Sequence, residues 1–150
     1  MNLQKNVRRI AATGAAAAIA AIGVAGSAQA VSTSGCTVTP YTPTYHHHNA
    51  AGNKVLQYKI RVTCAANRTA TVYQQRKEED TFSDDTIGTS TYTRVFGAAG
   101  TKYIYFYGVL PDTELGKEEM YHRIKLRVSS NGVVSPWTGY HKSGVRSFSN

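Results

Sequence analysis

The chain has 150 residues, 41% hydrophobic and 17% charged, with ten Tyr, four Phe and a formal net charge of +8. That balance excludes a disordered or membrane-dominated chain, and abundant aromatics beside little Leu or Glu turn it from helical bundles and coiled coils toward sheet. Setting aside a leader of 30 residues leaves 120, enough for one domain of ordinary size and too few for a large enzyme.

The leader is read from three features. Met1 to Arg9 carries Lys5, Arg8 and Arg9 without an acid, Ile10 to Gly26 is an uncharged run dominated by Ala, and Ser27-Ala28-Gln29-Ala30 ends it with small residues. This order predicts a secretory signal peptide over 1–30 cut after Ala30, and a mature secreted chain over 31–150. The apolar run is too short and too rich in Ala and Gly to hold a bilayer, so no transmembrane segment is expected in the mature chain. Arg8-Arg9 leaves the twin-arginine route open, but its flanks favour ordinary Sec export. The leader resembles those of high-GC Gram-positive bacteria. Its loss removes three of the 17 cations and none of the nine acids, leaving +5.

Cys36 and Cys64 are the only cysteines. In an oxidising compartment one such pair is expected to join, since it has neither the second ligand pair of a zinc site nor the two-residue spacing of a redox motif.

Period-two alternation then marks seven strands. Cys36 to Tyr45 opens the series, and Pro40 and Pro43, which lack donors, place it at a sheet edge. In Lys54 to Cys64, the residues Leu56, Tyr58, Ile60, Val62 and Cys64 share a buried face. The start of the first strand lies beside the end of the second in an antiparallel pair, which fits the disulfide. Thr69 to Arg76, Ile87 to Phe96 and Thr101 to Leu110 follow, and the short Gly97-Ala98-Ala99-Gly100 turn predicts pairing of the last two. Met120 to Ser130 buries His122, Ile124, Leu126 and Val128. Asn131-Gly132 is a hairpin signal leading into Val133 to Phe148.

Leu110-Pro111-Asp112-Thr113-Glu114, Tyr121-x-x-Ile124-x-Leu126-x-Val128, Asn131-Gly132 and Ser135-Pro136-Trp137-Thr138 together resemble the second half of a fibronectin type III domain. The resemblance covers about 30 residues and implies an all-β, seven-stranded antiparallel immunoglobulin-like sandwich. Pairing of the fourth and fifth strands would be a constant-type immunoglobulin trait. The chain is also similar to small secreted proteins of actinobacteria. Neither likeness implies an activity, because such folds host many roles.

The chemistry-bearing residues are few. There is no nucleophile elbow, no metalloprotease motif and no phosphate loop, so no catalytic residue and no cofactor are expected. His122 has core parity and reads as a hydrogen-bonded interior histidine. His46-His47-His48 falls in the first loop, and all nine acids lie between Glu78 and Glu119. If the first, third and fifth loops share a pole, then His46, His48, Glu78, Asp80, Asp84 and Asp85 are metal candidates, although solvated loops are the favoured reading of them. Arg123, Lys125 and Arg127 form an outward basic stripe about 13 Å long. No interleaved aromatics are evident around it. Tyr103, Tyr105 and Tyr107 alternate with Ile104 and Phe106 as an outward ladder able to stack on sugars or protein. The expected function is a secreted non-catalytic binding module whose partner is a cell-wall glycan, an anionic polymer or another protein. The alternative is a small secreted enzyme or enzyme inhibitor.

Overall fold

A computed structural model describes residues 29–81, 83–112 and 116–149. The leader signature in 1–28, and Thr113 and Glu114 of the motif above, lie outside the described residues. No helix among the described residues is long and apolar enough to cross a membrane.

The described chain is all-β. Its strands are β1 (Val31–Thr33), β2 (Cys36–Pro40), β3 (Thr44–His48), β4 (Lys54–Cys64), β5 (Arg68–Glu78), β6 (Asp85–Phe96), β7 (Gly100–Val109), β8 (Lys117–Ser130), β9 (Val133–Val134), β10 (His141–Lys142) and β11 (Arg146–Ser149). They form two antiparallel sheets. In the first, β4 is central, with β2 and β3 in line along one side, β7 along the other and β1 beyond β2. In the second, β8 has β5 on one side and β9, β10 and β11 in succession on the other, with β6 beyond β5.

Alternation places the core between the sheets. Val38, Ile60, Val62 and Ile104 from the first sheet meet Val72, Ile124, Leu126 and Val128 from the second, around the buried Cys36–Cys64 disulfide. The two cysteines are direct partners in the β2–β4 ladder, as the strand ends required.

Four expectations change. First, the fourth and fifth long strands do not pair: β6 runs along β5 and β7 along β4, so the chain crosses between sheets at Gly97–Gly100. Two-residue hairpin turns need left-handed central residues; Ala98 and Ala99 are not left-handed, whereas Asn131 (φ 50°) and Gly132 (φ 79°) are, and there the β8–β9 hairpin forms. Second, the opening segment is not a single edge strand. β1 covers β2 as far as Val38, Pro40 lies past its end, and the chain breaks at Pro43 before β3. Third, β3 carries His46–His48 within a strand rather than a loop.

Fourth, the closing strand is three short pieces, because Pro136 cannot donate and the register against β8 gains two residues between β9 and β10 and one between β10 and β11. The N–H groups of Val128, Leu126 and His122 are satisfied instead by the hydroxyls of Ser135 (2.9 Å), Thr138 (2.9 Å) and Ser143 (3.1 Å). The same three residues return their backbone N–H to the carbonyls of Val128, Leu126 and His122, each at 2.8 Å. Short side chains thus stand in for a ladder.

Candidate functional site

The basic stripe lies on the outer face of the second sheet, since Ile124, Leu126 and Val128 take the inner one. Arg123, Lys125 and Arg127 have Gln75, Tyr73 and Thr71 of β5 as register partners. On the other side, the extra residues between β9 and β10 swing Trp137 and Tyr140 over the stripe. The Lys125 ammonium sits 5.0 Å from the Tyr73 ring, 5.0 Å from Trp137 and 5.4 Å from Tyr140. The Arg123 guanidinium lies 4.3 Å over Tyr140, and that of Arg127 lies 4.8 Å over Trp137. Arg123 also donates to Gln75 Oε1 at 2.7 Å. The expectation of a stripe without interleaved aromatics is therefore overturned: rings separate the charges, and they come from flanking segments rather than from β8.

This arrangement restrains three long cationic side chains. Ring faces attract the cations by about 0.5 to 1 kcal/mol each at exposed positions, which limits the rotamer freedom they would otherwise lose on meeting an anion.

The Tyr ladder occupies the outer face of the first sheet. Tyr103, Tyr105 and Tyr107 are 42%, 45% and 48% exposed, and their β4 partners are Arg61, Lys59 and Gln57. Gln57 donates to the Tyr107 hydroxyl at 3.3 Å. Ile104 is buried opposite them and Phe106 packs against the core.

His122 is fully buried. Gln74 Nε2 lies 2.7 Å from its Nδ1, and its Nε2 lies 2.7 Å from the Tyr41 carbonyl, which fits a neutral ring with the proton on Nε2. Burial, with Arg76 adding to it, pulls its pKa down to about 4 against the Tyr41 carbonyl. Such a group is a structural acceptor rather than a base exposed to substrate.

The first, third and fifth loops do share a pole: Leu110 N–H donates to Lys54 at 2.8 Å and Glu79 N–H to Glu119 at 2.7 Å. The metal candidates there are not gathered. Glu78 is buried on β5, while His46 leans on the Tyr107 ring and His48 Nδ1 pairs with the Tyr45 hydroxyl at 2.9 Å. Asp84 accepts from the Tyr121 hydroxyl, which holds its carboxyl below the usual range, and Asp85 pairs with Glu78 in the β5–β6 ladder. Asp80 lies in the connection after β5. Among the described residues no three His, Cys, Asp or Glu side chains stand close enough to hold an ion. A cleft of about 230 Å³ opens at this pole, lined by His48, Gly52, Asn53, Lys54, Leu110 and Asp112.

Sequence reasoning missed Tyr73, Trp137 and Tyr140. Tyr73 has outward parity in its strand and was within reach, but Trp137 and Tyr140 needed the route of the last segment along β8. No protein-family model, curated protein or solved structure matches this chain.

Proposed function

We propose that this is an exported, non-catalytic binding module of the immunoglobulin-like, fibronectin type III-like class, which holds an extended anionic wall glycan across the outer face of its second sheet. The observation that carries the reading is the alternation of Arg123, Lys125 and Arg127 with Tyr73, Trp137 and Tyr140 on one strand-long surface. Successive cations on one strand face stand about 6.6 Å apart, a row suited to repeated carboxylates or phosphates. The rings are already covered by ammonium and guanidinium groups, so they serve to place charge rather than to stack bases, which favours a glycan over a nucleic acid. Two facing antiparallel sheets, with the fourth long strand beside the third as in variable-type domains, support the class. The leader signature and the disulfide support export.

Binding to immobilised polygalacturonate, polyglycerol phosphate, neutral dextran and single-stranded DNA tests the reading. The expected result is retention on the first two and none on dextran, with affinity falling about tenfold or more as salt rises from about 0.05 to 0.5 M. The triple change Arg123→Gln, Lys125→Gln, Arg127→Gln should weaken retention about tenfold or more and remove its steep salt dependence while the circular dichroism of the sheets persists. Equal binding to dextran, or an unaffected triple variant, would overturn the proposal; preference for DNA would replace the glycan with a nucleic acid.

A further inference from the structure

The first sheet repeats on its outer face the device described on the second. Lys59 of β4 places its ammonium 4.4 Å from the Tyr103 ring, 5.2 Å from Tyr41 and 6.0 Å from Tyr105. A lysine at the middle of a central strand is thus surrounded by three rings on each side of the molecule, Lys59 on one and Lys125 on the other. A glutamine two residues before Lys59 donates to the last Tyr of the ladder at 3.3 Å, and on the opposite face Gln75 donates to the Tyr73 hydroxyl at 3.4 Å. Arg61 adds a second cation beside Tyr103 and is exposed.

The two faces differ in proportion. The second sheet sets three cations in a row among three rings. The first sets Lys59 and Arg61 beside a row of Tyr103, Tyr105 and Tyr107, extended by the His46 ring 4.8 Å from Tyr107. Tyr103 and Tyr105 lie 6.4 Å apart and are tilted by 33°, leaving a shallow aromatic surface about 13 Å long. Lys59 covers Tyr103 at 4.4 Å but reaches Tyr105 only at 6.0 Å, so apolar CH faces of sugar rings stack on the open part of the row toward Tyr107, while a carboxylate on the same chain meets Lys59 or Arg61.

We infer that this face is a second binding face for the same class of acidic glycan, so that one molecule bridges two chains. The inference rests on the reading of the second sheet as a glycan-binding face. Side chains alternate across a strand, so the outward faces of two packed sheets point in opposite directions. A short acidic oligosaccharide lying on one cannot reach the other, and simultaneous occupation therefore means two ligands. Because stacking carries more of the contact on the first sheet, its affinity should depend less steeply on salt.

Titration of the whole secreted protein with a short oligogalacturonate, read by calorimetry and native mass spectrometry, is the test. The expected stoichiometry is two ligands per chain. The variant Lys59→Gln, Tyr103→Ser, Tyr105→Ser should bind one, with the affinity of the remaining site unchanged. Tyr105→Phe should still bind two, because the ring survives. With long polygalacturonate the wild type and the charge-matched control Lys117→Gln should form large light-scattering complexes, and the first-sheet variant should not. One ligand per wild-type chain, or two in the first-sheet variant, overturns the second face and leaves the first intact. Loss of binding in the wild type overturns both. Circular dichroism and an intact disulfide show that each variant is folded.

Discussion

The interior of this molecule has two halves built on different principles. At the disulfide end, Val38, Ile60, Val62, Val72, Ile104, Ile124, Leu126 and Val128 make an apolar layer closed by Cys36–Cys64. Toward the acidic pole the same strands turn polar inside: Gln74, Arg76 and Glu78 on β5 and Glu118 and His122 on β8 face a smaller cluster of Leu56, Tyr58, Leu110, Met120 and Phe148. Among the described residues the buried Tyr58 hydroxyl and Gln74 Oε1 have no hydrogen-bond partner. The apolar end depends on burial and a covalent tie, whereas the polar end depends on matching each donor and acceptor, so the two should respond to different perturbations.

The largest effect should come from the apolar end. Replacing Cys36 and Cys64 together by Ala releases a loop of 29 residues in the unfolded chain and should cost about 3 to 4 kcal/mol. Denaturant midpoints of the two proteins measure it, and a loss below about 1 kcal/mol would mean that the core holds this end without the bridge.

The polar end should carry the acid sensitivity. His122 titrates near 4 when folded against an ordinary value of 6.5, so the unfolded chain binds its proton first. Its contribution is complete above pH 6.5 and is lost as pH falls toward 4, by about 3 kcal/mol in all. Ring resonances of His122 that stay in the neutral form at pH 5.5 would bear this out, while a midpoint near 6.5 would contradict it. Truncating its partner, Gln74→Leu, leaves Nδ1 unpaired and should lower stability by about 1 to 3 kcal/mol in urea unfolding.

The smallest effect has the opposite sign. Tyr58→Phe removes a buried hydroxyl that has no hydrogen-bond partner among the described residues, and burial drives its pKa upward. The change should be neutral or stabilising by up to about 1 kcal/mol. A clear loss would point to an ordered water serving that hydroxyl.

Much of this layout was legible in the sequence. Alternation in Lys54–Cys64 and Met120–Ser130 assigned the inward residues correctly, including His122, and the parity of Cys64 put the bridge in the core. The outward positions of Arg123, Lys125, Arg127, Tyr103, Tyr105 and Tyr107 followed from the same rule. The metal candidates failed to gather for a reason alternation cannot supply: sharing a pole brings loops to one end but does not aim their side chains at one point.

What the sequence by itself determined is therefore the facing of each strand residue, the place of the disulfide and the charge of each face, because side-chain direction has a period of two and is a property of a few consecutive peptide units. Only the tertiary structure decided that β6 joins β5 rather than β7, that the last segment breaks so that hydroxyls of Ser135, Thr138 and Ser143 complete the edge of β8, and that Tyr73, Trp137 and Tyr140 close around Lys125. Those outcomes depend on ladders between residues far apart in the chain, whose hydrogen bonds and buried faces are settled jointly and leave little trace in any one segment.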